Sequence, residues 1–396
     1  MIFEQSDIGT IKLQNRIFRS ATHEGLADEN GYPTEKLITK YETLAKNEVG
    51  CIITGFAGIM QNGKTNNHNM LMIDNDSFID SYSKLTKKVH KYNTPIILQI
   101  AHCGRQTRSK ITGFPVVAPS PVKDKTYKEE TAKELTEPEI FEIIDNFVSG
   151  IIRAKSAGFD GVQLHLAHGH LLAQFLSSYT NRRKDKWGGS LENKFRIVKE
   201  IFDRAKLVVG DFPILVKLNA YDGRKNGMRI NEAVKIAKML EFVGCSGIEV
   251  SCGVYEDGLF TIRGDKLPIE AVFKYSYSYK KLPNFIKWIA KSIVPAITPK
   301  IKPYENYNVE SANEIKKNVN IPVIVVGGIK KLDSIKTIIS EKKADYVSLS
   351  RPLIAEPNLV KKFKNGIQRE SKCIDCNYCM IASEEETLKC YRGRFK

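Results

Sequence analysis

The sequence predicts a closed (β/α)8 barrel. Eight short apolar runs, rich in β-branched residues, alternate with amphipathic helical stretches along almost the whole chain. Eight is the strand number at which such a parallel sheet closes into a barrel, and 396 residues fit one barrel with insertions. No Gly-x-Gly-x-x-Gly follows the first run, which argues against a doubly wound dinucleotide-binding sheet.

The predicted strands, in order, are Arg16–Ala21, Gly50–Thr54, Pro95–Ile100, Gly161–His165, Pro213–Leu218, Gly247–Val250, Pro322–Val326 and Asp345–Leu349. Each is apolar without strict alternation, the pattern of a parallel strand covered on both faces. Helical periodicity predicts Thr34–Glu48, Ser77–Tyr92, Glu137–Ala157, Leu191–Val209, Asn231–Val243, Val309–Asn318 and Asp333–Ser340. Thr136 before Glu137-Pro138 reads as a helix start, and Asn231 and Gly244 read as the two ends of another. Two regions break the rhythm. Cys252 to about Asn306 carries Pro268, Pro283, Pro295, Pro299 and Pro303, and is too long for a simple connection; on a barrel's catalytic face it would cover substrate. After Gly366 the barrel pattern stops. The expected division is a barrel over 1–370 and a cysteine-containing tail over 371–396.

The net charge of +16 invites a nucleic-acid reading, but the lysines are scattered among acids, with no basic block interleaved with aromatics. No nucleic-acid partner is expected. The first residues lack the basic and apolar regions of a signal peptide, and no apolar run approaches the ~20 residues of a membrane helix. A cytoplasmic protein without a membrane partner is expected. Of eight cysteines, Cys51, Cys103, Cys245 and Cys252 are dispersed, while Cys373, Cys376, Cys379 and Cys390 crowd the tail. That distribution suits one metal cluster better than a disulfide framework.

Chemistry is expected where polar side chains end buried strands. Gln99, His165 and Lys217 do so on successive strands, and burying such groups is costly unless each bonds a network or a ligand. Around them lie Leu13-Gln14-Asn15-Arg16-Ile17, Gln99-Ile100-Ala101-His102-Cys103-Gly104-Arg105, and Gly161 to His170 with its His165-x-x-His168-Gly169-His170. Further on come Asn181 to Asn193 with Trp187-Gly188-Gly189-Ser190, then Val326-Gly327-Gly328-Ile329 and Ser348-Leu349-Ser350-Arg351-Pro352. With these segments in this order, from about Ile8 to Cys390, the chain resembles the Old Yellow Enzyme family of NAD(P)H:flavin oxidoreductases, including the barrel domain of bacterial 2,4-dienoyl-CoA reductases.

The resemblance implies FMN as cofactor, NAD(P)H as electron donor and an electron-poor alkene such as an enone as substrate. It places Ser20, Ala21, Thr22 and Ala57 along the flavin, Gln99 on the pyrimidine ring and Lys217 beside the N1–C2=O edge. A cation there stabilises the anionic reduced flavin. Gly327, Gly328, Ser350 and Arg351 match the phosphate site after the last two strands. His165 and His168 match the pair that holds the substrate carbonyl; a His-x-x-His pair could also bind a metal, but the Glu of a zinc-protease motif is missing. The sequence departs from the family at His170, where relatives carry a proton-donating Tyr, and at His23, near the place of a residue that tunes the flavin. His170 is expected to donate a proton, with an imidazole-like pKa of roughly 6.5 before environmental shifts. Cys373, Cys376, Cys379 and Cys390 resemble the 4Fe–4S ligands of the dienoyl-CoA reductases, with the third cysteine one residue early; zinc or unligated thiols remain open. Tyr391 and Arg392 resemble C-terminal arms that reach a neighbouring subunit, so a homo-oligomer acting on a small molecule is expected. Two other readings stand beside the enzyme: a flavin-binding electron-transfer protein using the cysteine tail, and a tRNA-dihydrouridine synthase. The latter needs an Asn-x-Gly-Cys-Pro-like segment that the sequence lacks.

Overall fold

A computed structural model describes residues 1–67, 69–127, 129–264, 268–276, 279–298 and 301–393. Eight parallel strands form its centre: β1 (Ile17–Arg19), β2 (Cys51–Ile53), β3 (Ile96–Ala101), β4 (Gly161–Leu166), β5 (Ile214–Asn219), β6 (Gly247–Ser251), β7 (Val323–Val326) and β8 (Tyr346–Leu349). Neighbours pair in chain order, β8 pairs with β1 and β3 with β4, so the sheet closes on itself. The expected barrel is present.

Side chains from the strands divide between two cores. Phe18, Cys51, Ile53, Ile97, Leu215, Ile324 and Tyr346 pack together with Ile8, Ile11 and Leu13 of an N-terminal antiparallel hairpin, Ser6–Ile8 with Ile11–Leu13. A larger cluster joins the other strand faces to the surrounding helices. Those helices are α1 (Glu35–Lys46), α2 (Phe78–His90), α3 (Glu137–Ser156), α4 (Leu191–Val209), α5 (Ile230–Phe242), α6 (Val309–Lys316), α7 (Leu332–Ser340) and α8 (Leu359–Lys364). In α5 the buried set Ala233, Ile236, Ala237 and Leu240 repeats at three- and four-residue spacing, which is why a single stripe faces the barrel. Thr136 begins α3 with its N–H and hydroxyl both bonded to Glu139 Oε2 at 2.8 Å.

Two expectations are corrected, and a third region is filled in. Asn231 is not a helix cap: α5 starts at Ile230, because Glu232 reaches back to the Arg229 N–H at 3.2 Å. The first strand ends at Arg19, and Ser20 to Thr22 leave the ladder after one last bond from Ser20 N–H to the Leu349 carbonyl. The stretch after Cys252 is largely helical, with Gly258–Thr261, Ile269–Tyr275 and Asn284–Ile297. The second of these buries Ile269, Ala271, Phe273 and Tyr275, enough apolar surface to fix a short helix. The tail packs on it: Ala271 and Tyr275 share a small core with Cys379, Ala382, Leu388 and Tyr391. Among the described residues, no helix is long and apolar enough to cross a membrane.

Candidate active site

Parallel register brings the polar strand residues into one patch. Gln99 on β3 lies beside Gln163 on β4, and Lys217 on β5 lies between His165 on β4 and Glu249 on β6. Their side chains form a continuous buried network. Gln99 Nε2 donates to Gln163 Oε1 at 2.7 Å, and Gln163 Nε2 donates to Glu249 Oε2 at 2.8 Å. Lys217 Nζ sits 3.3 Å from Glu249 Oε2 and 3.0 Å from Ser20 Oγ, which itself donates to Glu249 Oε1 at 2.6 Å. Burial alone would push the Glu249 carboxyl up, but the Lys217 charge and the Ser20 and Gln163 hydrogen bonds outweigh it and hold it below the usual carboxylate range. Burial pulls the Lys217 ammonium down, with Glu249 opposing. Gln163 and Glu249 were not singled out from the sequence. The signals were there: Gln163 precedes His165 by two residues, hence shares its face, and Glu249 is the charge inside Gly247-Ile248-Glu249-Val250.

Beside this network stand three imidazoles. His165 and His170 have ring centroids 4.3 Å apart, and His165 and His168 5.1 Å. His165 Nδ1 accepts the Ala167 N–H at 3.3 Å, so its Nε2 carries the hydrogen and can donate. His168 Nε2 meets Ser251 Oγ at 2.8 Å, and its N–H donates to Asn219 Oδ1 at 3.2 Å. His168 and Gly169 both take left-handed backbone, at φ 58° and 81°, and this sharp turn off β4 places His168 and His170 around His165. His170 Nδ1 is buried with no partner. Phe56 lies 5.1 Å from the His170 ring and 5.5 Å from His23.

Burial drives all three imidazoles toward the neutral form. It lowers His170 to about 4 and His165 and His168 well below 6.5, with neighbouring cationic groups adding to the fall at the latter two. The environmental shift of His170 is therefore downward from the free-imidazole value of roughly 6.5. His102 is a different case. Its Nδ1 accepts the Gly104 N–H at 3.0 Å and its Nε2 lies 3.0 Å from Asn62 Oδ1, so both nitrogens are satisfied in a neutral ring.

A small cleft opens at the ends of β7 and β8, lined by Gly327, Gly328, Lys330, Ser350, Arg351 and Asp375 among others. Gly328 has φ 68°, and a Cβ there would run into the Tyr304 carbonyl, so only glycine fits this cradle. Thr22 Oγ1 joins Ser350 Oγ at 2.9 Å and thereby links the cleft to the chain after β1. Arg351 is held by the Arg263 carbonyl at 2.7 Å and by Asn377 Oδ1 at 2.6 Å, with Asp375 3.3 Å away. Ala57 pairs with Ile100 of β3 and is buried; Ala21 is half-buried against the barrel interior. A lysine and an amide at one end, and glycines, a serine and cations at the other, suit the pyrimidine ring and the phosphate of FMN. Cys373, Cys376, Cys379 and Cys390 line one further cleft with Arg351. Burial raises Cys373 to about 11 and Cys379 to about 12. Among the described residues no three His, Cys, Asp or Glu side chains close around a metal position.

These features agree with the comparisons. The sequence profile of the NADH:flavin oxidoreductase / NADH oxidase family matches residues 1–254 and 267–370, and the chain belongs to that family. It is 38% identical over 379 residues to an NADH oxidase of Thermoanaerobacter brockii, covering 95% of this chain and 52% of the relative. It is 33% identical to a metal reductase of Desulforamulus reducens, covering 95% and 51%. The chain thus spans about half the length of these curated relatives. Among solved structures, a 2-naphthoyl-CoA reductase in complex with 2-naphthoyl-CoA superposes with a TM-score of 0.83 at 23% identity, over 98% of this chain and 56% of that one.

Proposed function

We propose that the chain is an FMN-dependent oxidoreductase that draws reducing equivalents from NAD(P)H and reduces an electron-poor alkene, an enone or a close analogue. The observation that carries this reading is the cluster of three imidazoles, packed edge-on and tilted, beside the Lys217–Glu249–Gln163–Gln99 network. FMN bound there supplies hydride transfer. Gln99 and Lys217 hold its pyrimidine edge, Ser20, Ala21, Thr22 and Ala57 flank it, and Gly327, Gly328, Ser350 and Arg351 take the phosphate. The Nε2–H of His165 and the ring of His168 bond the substrate carbonyl oxygen and draw electron density from the alkene, as uncharged donors aimed where negative charge develops. His170 gives the proton to the substrate α-carbon.

Since His170 is neutral at pH 7, its acid form is scarce and grows about tenfold for each unit that pH falls. Enone reduction by the pre-reduced protein should rise by that factor per unit from pH 8 to pH 6, and His170→Phe should flatten the profile. Stopped-flow reoxidation reads both. A wild-type rate that is flat over this range, or a variant with the wild-type profile, removes His170 from proton delivery. A protein that releases no FMN on denaturation overturns the whole reading.

The tail, proposed here as a unit over 371–396 distinct from the barrel of 1–370, holds an iron–sulfur centre on Cys373, Cys376, Cys379 and Cys390. The four line one cleft, but among the described residues no three of them close around a metal position, so such a centre requires the tail to draw its thiols closer together than they stand here. Such a centre would relay single electrons. Anaerobically purified protein should contain about four irons per chain with matching sulfide. Zinc without iron, or no metal, would replace this assignment with a structural site or free thiols.

A further inference from the structure

The helix Asn284–Ile297 buries none of its residues. Phe285, Ile289, Ile293 and Ile297 are 67%, 45%, 51% and 71% exposed, and Trp288 is 75% exposed. Helical spacing puts these five on one side, at i, i+3 or i+4 from one another. Lys287 and Lys291 fall on the other side. Single exposed apolar residues need no explanation, but a continuous stripe of this kind marks a surface that meets a partner. The charge carried by this stretch of sequence is one-sided. In sequence, Lys281, Lys287, Lys291, Lys300 and Lys302 precede, punctuate or follow the helix, and no Asp or Glu occurs between Glu270 and Glu305, while Lys280 is paired with Glu385 of the tail.

We infer that this helix lies in the interface plane of an anionic lipid surface. The stripe of Trp, Phe and Ile supplies the insertion, and the lysines match phospholipid headgroups, the composition of a helix lying within the interface. A second copy of the chain fits less well, because Lys287 and Lys291 of two facing helices would come together with no Asp or Glu on either helix to offset them. The absence of a spanning segment, which underlay the expectation of no membrane partner, does not bear on a fourteen-residue helix lying flat. The helix follows the same connection that packs on the tail, so docking would place the β6–β7 side of the catalytic face near the bilayer.

The test is sedimentation of the full chain with phosphatidylcholine vesicles made with and without phosphatidylserine, read together with tryptophan emission. The chain has two tryptophans, and Trp187 is buried, so a lipid-dependent blue shift reports Trp288. Binding and the blue shift should appear with phosphatidylserine only. Lys287→Ala/Lys291→Ala should weaken binding about 25-fold, at roughly fivefold for each lysine near a charged surface. Ile289→Ser/Ile293→Ser should abolish it while leaving NADH consumption unchanged. No cosedimentation with anionic vesicles overturns the inference. So does self-association, in sedimentation velocity, that Ile289→Ser/Ile293→Ser removes without any lipid dependence, which would assign the face to a second copy.

Discussion

Lys217→Met should destabilise the fold by about 3–5 kcal/mol, the cost of removing one partner from a buried ion pair. The magnitude follows from what is left behind. Glu249 is fully buried, and its carboxylate is kept charged by Lys217 first, then by Ser20 and Gln163. Two neutral hydrogen bonds do not offset burial of the charge, so in the variant the carboxyl should take up a proton. The sign with pH can be stated. A carboxyl held low contributes stability above its unfolded value of about 4.5 and loses it as pH falls; one pushed up by burial does the reverse, so the variant should recover toward wild type as pH drops. Lys217→Met/Glu249→Gln removes the charge together with its partner and should regain most of the loss. Urea unfolding of the single and double variants at pH 7 decides the matter. If the double variant is no more stable than Lys217→Met, the two residues are not energetically coupled. Lys217→Met should also retain FMN less well, read as flavin lost on gel filtration.

The barrel was legible because its strands must be buried on both faces, which writes apolar runs such as Ile214-Leu215-Val216 plainly into the sequence. Helix ends were legible where a side chain caps them, as at Thr136, and misjudged at Asn231, where the reciprocal bond comes from Glu232 instead. The site was half legible. Gln99, His165 and Lys217 stand out as polar groups at strand ends, yet their connection runs through Gln163 and Glu249, and only the closed sheet brings β3, β4, β5 and β6 into register to show it. The protonation state of His170 was beyond reach of the sequence, since it depends on Phe56, some 114 positions earlier, and on the burial that the closed site imposes. Arg351 matches a phosphate ligand by position, but its hold on Asn377 and Asp375 links that cleft to the cysteine tail, a contact no local pattern announces.

Acid should unfold this protein unusually early, between about pH 6 and pH 5. Three histidines are buried, His168 is half-buried, and all four are kept neutral: burial lowers His102 to about 3 and His170 to about 4, and holds His165 and His168 well below 6.5. For each, the folded pKa lies below the unfolded one. The unfolded chain therefore binds the proton first, so stability is present above about 6.5 and is lost as pH falls toward the folded value. Each such group contributes a slope of about 1.4 kcal/mol per pH unit once the unfolded ring is protonated, so four together approach about 5 kcal/mol per unit. From pH 7 to pH 5 the accumulated loss is about 8 kcal/mol, against a typical total of 5–15 kcal/mol. One histidine works in the opposite direction. His90 is raised by its hydrogen bond to Asp160 at 2.8 Å, so that pair gains strength as pH falls toward 6.5 and is fully formed below it, but one half-exposed pair offsets little. Near-UV circular dichroism across pH 8 to 4.5, with proton uptake on unfolding measured in parallel, should show a sharp transition and close to four protons bound per chain. His170→Phe should lower that uptake by one and move the transition to lower pH, because phenylalanine fills the site without a titrating group. An unfolding midpoint that does not change between pH 7 and pH 5 would mean that these imidazoles are not the neutral, buried set that the site geometry requires.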